Sequence, residues 1–236
     1  MTTFITVPVE CPHCSNQMYD FELTSYFAPR SRVYSDGKVE YSNLKIDQEI
    51  LICTACHKSL WRDEVVGDDR DVNLDGIANV MTVDDLYFVY EEDYEKNVFA
   101  YYLNLLQNGF ANTHEKEMYI RMKMWHFYND KYRALSTGAS RFVKRNIKSV
   151  FSFIGKKVQK KEKRTGFFET NLRRLMVLFQ AETDGERMLL AEMHRELKEF
   201  DEALSILESL QGIENQHLLR AMILAARRKE YQVISV

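Results

Sequence analysis

Cys11-Pro12-His13-Cys14 and Cys53-Thr54-Ala55-Cys56 decide the fold of the N-terminal part of this chain. Each is a CxxC pair, residues 15–52 separate them, and together they hold all 4 cysteines. Zinc takes four tetrahedral thiolate or imidazole ligands, with sulfur at about 2.3 Å. One CxxC turn presents two sulfurs to one side of that tetrahedron, and a second turn completes it. The first residues, MTTFITVPVECPHC, show neither a basic start nor an apolar core, so no export signal is expected. Paired cysteines in such a chain favour a metal over disulfides, and the expected compartment is the cytoplasm. The reading is one structural zinc per chain, held by Cys11, Cys14, Cys53 and Cys56. Four protein ligands leave no open position for a substrate water. Two redox-active thiol pairs are the competing reading. His13, inside the first pair, and His57, beside the second, are alternative ligands.

Outward from these pairs, residues 1–66 read as a zinc ribbon of short strands and turns. Alternation in Tyr19-Asp20-Phe21-Glu22-Leu23 and in Glu49-Ile50-Leu51-Ile52-Cys53 suits half-buried strands. Ser35-Asp36-Gly37-Lys38 is a turn signal between them. A module this small buries little core, so a metal would stabilise it usefully. Residues 67–82 read as an acidic connecting loop. Within it Asp71, Asn73, Asp75 and Gly76 imitate the start of a calcium loop. The twelfth position, which needs a bidentate acid, is Thr82, and Asp84 and Asp85 come too late. An acidic surface turn is the simpler reading.

Residues 83–236 are expected to be α-helical. A first helix runs from about Val83 through Tyr102 to Leu106 and stops at Asn108-Gly109. Asn112-Thr113-His114-Glu115 has capping spacing for a second helix to about Tyr132, closed by Ser136-Thr137-Gly138. A third covers roughly 169–181. Leu189, Met193 and Leu197 then mark one helix face, Ala203, Leu207 and Leu210 a second, and Leu218, Met222 and Ala225 a third. Short connections between such helices indicate an array of α-hairpins.

The segment from Met188 to Glu208 is similar to one tetratricopeptide repeat. Ala191 and Ala203 stand at its small positions and Phe200 at the aromatic of the turn, with Lys198 in place of the usual glycine. Lys229-Glu230-Tyr231 resembles the next turn, 31 residues after Phe200 counting to Tyr231. Together with CPHC, Tyr34-Ser35-Asp36-Gly37 and ICTAC, this resembles a bacterial family of unassigned activity. That family joins an N-terminal zinc ribbon to tetratricopeptide-like helices. The resemblance implies a concave surface for a protein or peptide, lined by Met188, Glu192, Arg195, Leu219 and Ile223.

The chain of 236 residues has a formal net charge of -3, yet residues 141–164 hold ten Lys/Arg against one Glu. Lys156, Lys157, Lys160 and Lys161 concentrate that charge, and the segment suits nucleic-acid phosphates or an anionic surface. No apolar run is long enough for a transmembrane helix. No Ser-His-Asp grouping, phosphate-cradling glycine loop or HExxH motif is present. His126 and His194 sit within helical patterns and read as partly buried helix residues. The expected fold is α+β and mostly α. The expected function is a non-enzymatic protein-interaction or adaptor protein, with nucleic-acid binding through the ribbon and residues 141–164 as the alternative.

Overall fold

The structure is a computed structural model. It describes residues 3–25, 31–41, 48–65, 77–85, 94–136, 166–210 and 215–235. The basic segment 141–164, with Lys156, Lys157, Lys160 and Lys161, lies outside the described residues. So do Asp71, Asn73 and Asp75. The fold is mixed α+β, with small sheets near the N-terminus and helices after them. Two compact units are formed. One combines Met1–Ser31 with Tyr41–Leu103, and the other combines Arg32–Glu40 with Asn104–Val236.

In the first unit, β1 (Thr3–Glu10) and β2 (Gln17–Ser25) pair antiparallel, with Thr6 opposite Phe21 and Val9 opposite Met18. The period of two turns Val7 and Val9 inward and leaves Phe4 and Phe21 on the outer face, where their rings meet edge to face. A second sheet centres on β5 (Ile50–Ile52). Its antiparallel neighbours are β6 (Ser59–Trp61) and β8 (Met81–Thr82). The short β7 (Ala78–Asn79) pairs parallel with β2. Between β7 and β8, buried Val80 joins Val9, Met18, Leu51 and Leu60 in one small core with Cys11 and Cys53. Residues 77–82, expected as loop, therefore supply strands to this unit. A single helical turn, α1 (Arg62–Val65), follows β6.

Helix α2 (Tyr94–Gln107) buries Val98, Tyr102 and Leu105, an i, i+4, i+7 stripe. Val83–Asp85, where the helical pattern is expected to begin, form a 3-10 turn, and the helix ends as expected at Asn108-Gly109.

The second unit is helical. Helix α3 (His114–Ser136) begins on Thr113, whose hydroxyl accepts from the Lys116 N–H at 3.3 Å. It packs on α4 (Gly166–Leu178), with the Tyr128 ring stacked 4.0 Å from that of Phe168. Helix α5 (Asp184–Glu196) opens on a capping box. The Thr183 hydroxyl accepts from the Glu186 N–H, and the Glu186 carboxylate accepts from the Thr183 N–H. Three residues later the chain turns into α6 (Phe200–Ser209), and α7 (Gln216–Arg227) follows. These three helices pack on one another in sequence.

Helices α2, α5 and α7 end alike. A residue with positive φ (Gly109, Lys198 or Lys229) donates to the carbonyl three residues back, and the next N–H reaches five back. Lys198 thus adopts the left-handed conformation that this kind of helix end requires. Ala203 is fully buried and Phe200 is half-buried. Ala203→Glu is expected to destabilise the helical unit by about 3 kcal/mol or more, since it adds overpacking to charge burial. Urea unfolding measures it, and a cost near that of a surface change would contradict this arrangement.

The largest departure from the sequence reading is at Tyr34-Ser35-Asp36-Gly37. These residues do form a turn, between β3 (Ser31–Val33) and β4 (Val39–Tyr41). The hairpin belongs with the helices rather than with the ribbon. Tyr34, Ser35 and Asp36 are buried there, and Tyr34 bridges to Ser235 near the C-terminus.

Candidate metal centre and buried polar network

Two matching turns present the four cysteines. The Cys11 N–H donates to Asn16 O at 3.0 Å and the Ser15 N–H to Cys11 O at 2.8 Å. The Cys53 N–H donates to Lys58 O at 3.0 Å and the His57 N–H to Cys53 O at 2.9 Å. Each turn needs its fifth residue in the left-handed region, and Ser15 and His57 both have φ near 56°. His57 therefore serves the turn by its backbone. The turns are fixed to the strands beside them, since Cys11 follows β1 and Cys53 follows β5. Asn16 Nδ2 also reaches Thr54 Oγ1 across the two turns at 3.3 Å.

The sulfurs of Cys11 and Cys56 lie 3.7 Å apart, as do those of Cys14 and Cys53. All four lie within 4.8 Å of one another. A tetrahedron of sulfurs about 2.3 Å from a central ion has edges of roughly 3.8 Å, whereas a disulfide needs about 2.05 Å. The cluster fits a metal ion such as zinc. The ionisation of the thiols agrees. Burial opposes ionising Cys53, but the N–H groups of Cys56 and Ala55 and the neighbouring sulfurs outweigh it and bring it down to about 7. At Cys14 the Asn16 N–H favours the thiolate, yet desolvation and the other three thiols push it up to about 12. Four sulfurs this close cannot all ionise without a cation among them.

The helical unit carries a second constellation, which sequence reading did not assemble. Asp36, Asn129, Arg133, Glu192, Arg195 and Glu196 are all buried. Asp36 Oδ2 accepts from Asn129 Nδ2 at 2.9 Å and from Arg133 Nη2. Asn129 Nδ2 donates also to Glu196 Oε1 at 2.8 Å, where Trp125 Nε1 donates at 3.2 Å. Ser35 Oγ donates to Glu192 Oε1 at 2.5 Å, and Arg195 grips both oxygens of Glu192. Arg195 continues to the carbonyls of Glu230 and Gln232, just beyond α7. Burial disfavours the charge on both arginines. At Arg133 the carboxylates of Asp36 and Asp130 outweigh it, and at Arg195 that of Glu192 does, so both pKa values stand above the ordinary guanidinium range. His126 Nε2 lies 2.9 Å from the Asp36 carbonyl, and burial pushes its pKa down, which favours the neutral ring donating through Nε2.

The residues expected to line a partner surface are corrected here. Glu192 and Arg195 are fully buried, Met188 and Leu219 are buried, and Ile223 is half-buried beside them. The chain's own turn and C-terminal residues cover the charged pair, while Met188 and Leu219 join Ala191, Leu207, Leu210, Leu218 and Met222 in the core. The overlooked signal was charge at i, i+3 and i+4 (Glu192, Arg195, Glu196) on the same stripe as Met188 and Ala191. Asn129 and Arg133 repeat it on α3 behind Trp125.

No helix among the described residues is long and apolar enough to cross a membrane. No family model, no curated protein and no solved structure matches the chain.

Proposed function

We propose a non-enzymatic protein-interaction or adaptor protein, in which a structural zinc maintains the N-terminal unit and the helices bind a protein or peptide. The main support is the helix array α5–α6–α7. Its turns Lys198-Glu199-Phe200 and Lys229-Glu230-Tyr231 share sequence and backbone geometry, as successive tetratricopeptide-like units would. The proposed metal role follows from the donor set. Four thiolates suit zinc and fill its tetrahedron, so the ion holds two turns together and offers no position to a substrate. With Glu192 and Arg195 covered, an external partner would meet exposed apolar residues such as Leu224 on α7 or Val177 on α4.

Nucleic-acid binding is the second reading, and the charge of residues 141–164 favours it. One experiment separates the two. Tagged full-length protein is used to capture partners with and without nuclease, over a range of salt. The adaptor reading expects a defined protein retained after nuclease. Recovery of DNA or RNA that falls steeply with salt would replace it with the alternative.

A further inference from the structure

We infer that α3 and α5 form a recognition site for a tight turn bearing Ser-Asp-Gly, and that this chain fills the site with its own residues 34–37. The inference concerns an internal ligand and does not depend on any external partner.

Successive residues of the turn are read individually. The Tyr34 ring lies under the Arg133 guanidinium, 4.6 Å from its carbon. Ser35 Oγ donates to Glu192 and accepts from the Ile234 N–H at 2.9 Å. The Asp36 carboxylate takes Asn129 and Arg133, while its carbonyl takes His126. Gly37 has φ +78°, and a Cβ there would stand 2.8 Å from Leu189 Cδ2 of α5. Lys38 Nζ pairs with Asp130 Oδ1 at 2.6 Å. The side chains of Tyr34, Ser35, Asp36 and Lys38 thus meet charged or amide partners, and Gly37 between them combines a left-handed φ with close approach to Leu189.

This differs from an ordinary core strand. A core strand is held by ladder bonds and apolar packing. Here the ladder is a two-stranded hairpin with a single bridge to Ser235, and the other polar bonds come from side chains of α3 and α5 and from the Ile234 backbone. The sequence on either side of the hairpin belongs to the other unit. The arrangement is that of a peptide ligand: shape at Gly37, charge at Asp36, hydroxyl at Ser35.

The test uses the full chain with protease sites placed within 26–30 and 42–47. After cleavage under native conditions, residues 31–41 should remain bound through purification. A labelled synthetic 31–41 peptide in excess should exchange into the site with the helical circular-dichroism signal retained. A peptide carrying Asp36→Asn should compete roughly ten- to a hundredfold less well, from the loss of charge-assisted bonds. A Gly37→Ala peptide should also compete poorly. Because the changes sit in the peptide, the receptor's own sequence is the same in every competition, and its circular-dichroism signal is followed throughout. Loss of the hairpin with an unchanged helical unit would overturn the inference, as would equal competition by the Asp36→Asn peptide. Failure of the labelled peptide to exchange, or collapse of the helices on cleavage, would show the turn to be inseparable core and overturn it too.

Discussion

Removing the metal should unfold the N-terminal unit while leaving the helical unit folded. Apparent binding energies of structural zinc at such sites are about 10–16 kcal/mol, more than the whole stability of many domains. The dependence follows from the core. Cys11 and Cys53 are themselves members of the cluster with Val9, Met18, Leu51, Leu60 and Val80, so the metal site and this core are built from the same residues. Without a cation the four sulfurs become coupled thiols that repel further ionisation, and the two turns lose their common centre. Elemental analysis of protein purified without added metal should give one zinc per chain. The two tryptophans make the outcome separable: Trp61 lies on β6 of this unit, and Trp125 is buried in α3 of the other. Chelation should shift Trp61 fluorescence and leave Trp125 unchanged in a Trp61→Phe background. Cys53→Ser should reproduce the effect. A metal-free chain with four reactive thiols and an unaltered Trp61 signal would refute the claim.

The cysteine turns were legible because their chemistry is local. Two sulfurs three positions apart prescribe the turn, and two such turns prescribe a tetrahedron. Helices α5 to α7 were legible for a similar reason, since Leu189, Met193, Ala203, Leu207, Leu218 and Met222 carry the helical period. Boundaries shifted by a few residues, as at α4, because helix ends depend on caps more than on period. Strands β7 and β8 were missed because two-residue strands have no periodicity to read. Their order comes from β2 and β5, which lie far off in sequence.

The hairpin at 31–41 failed for a different reason. Asp36-Gly37 specifies a turn, but nothing local specifies what the turn touches. Its partners Asn129 and Glu192 are 93 and 157 positions away from Asp36 and Ser35 respectively. The resemblance to a tetratricopeptide first helix implies a partner surface at Glu192 and Arg195, and charged residues on a helix ordinarily face solvent, so nothing local argues against it. The observed burial is possible only because each charge meets its opposite. Neither half of that pairing is visible without the other.

Asp36→Ala should therefore destabilise the helical unit by about 3–5 kcal/mol, the usual cost of leaving a buried charge without its partner. The orphan would be Arg133, which is 2% exposed on its side chain and cannot shed its proton. Asp130 and the His126 carbonyl would still hold Arg133 Nη1, so the low end of the range is the better expectation. The change sits in the N-terminal third of the sequence, yet Trp125 should report it and Trp61 should not. Urea unfolding followed by Trp125 in a Trp61→Phe background makes the measurement. Arg133→Ala should cost a similar amount. The double variant should cost less than the two losses combined, because the second change removes the orphan created by the first. Additive effects, or a loss for Asp36→Ala within about 0.5 kcal/mol of wild type as at an exposed position, would mean that the turn is not seated between α3 and α5.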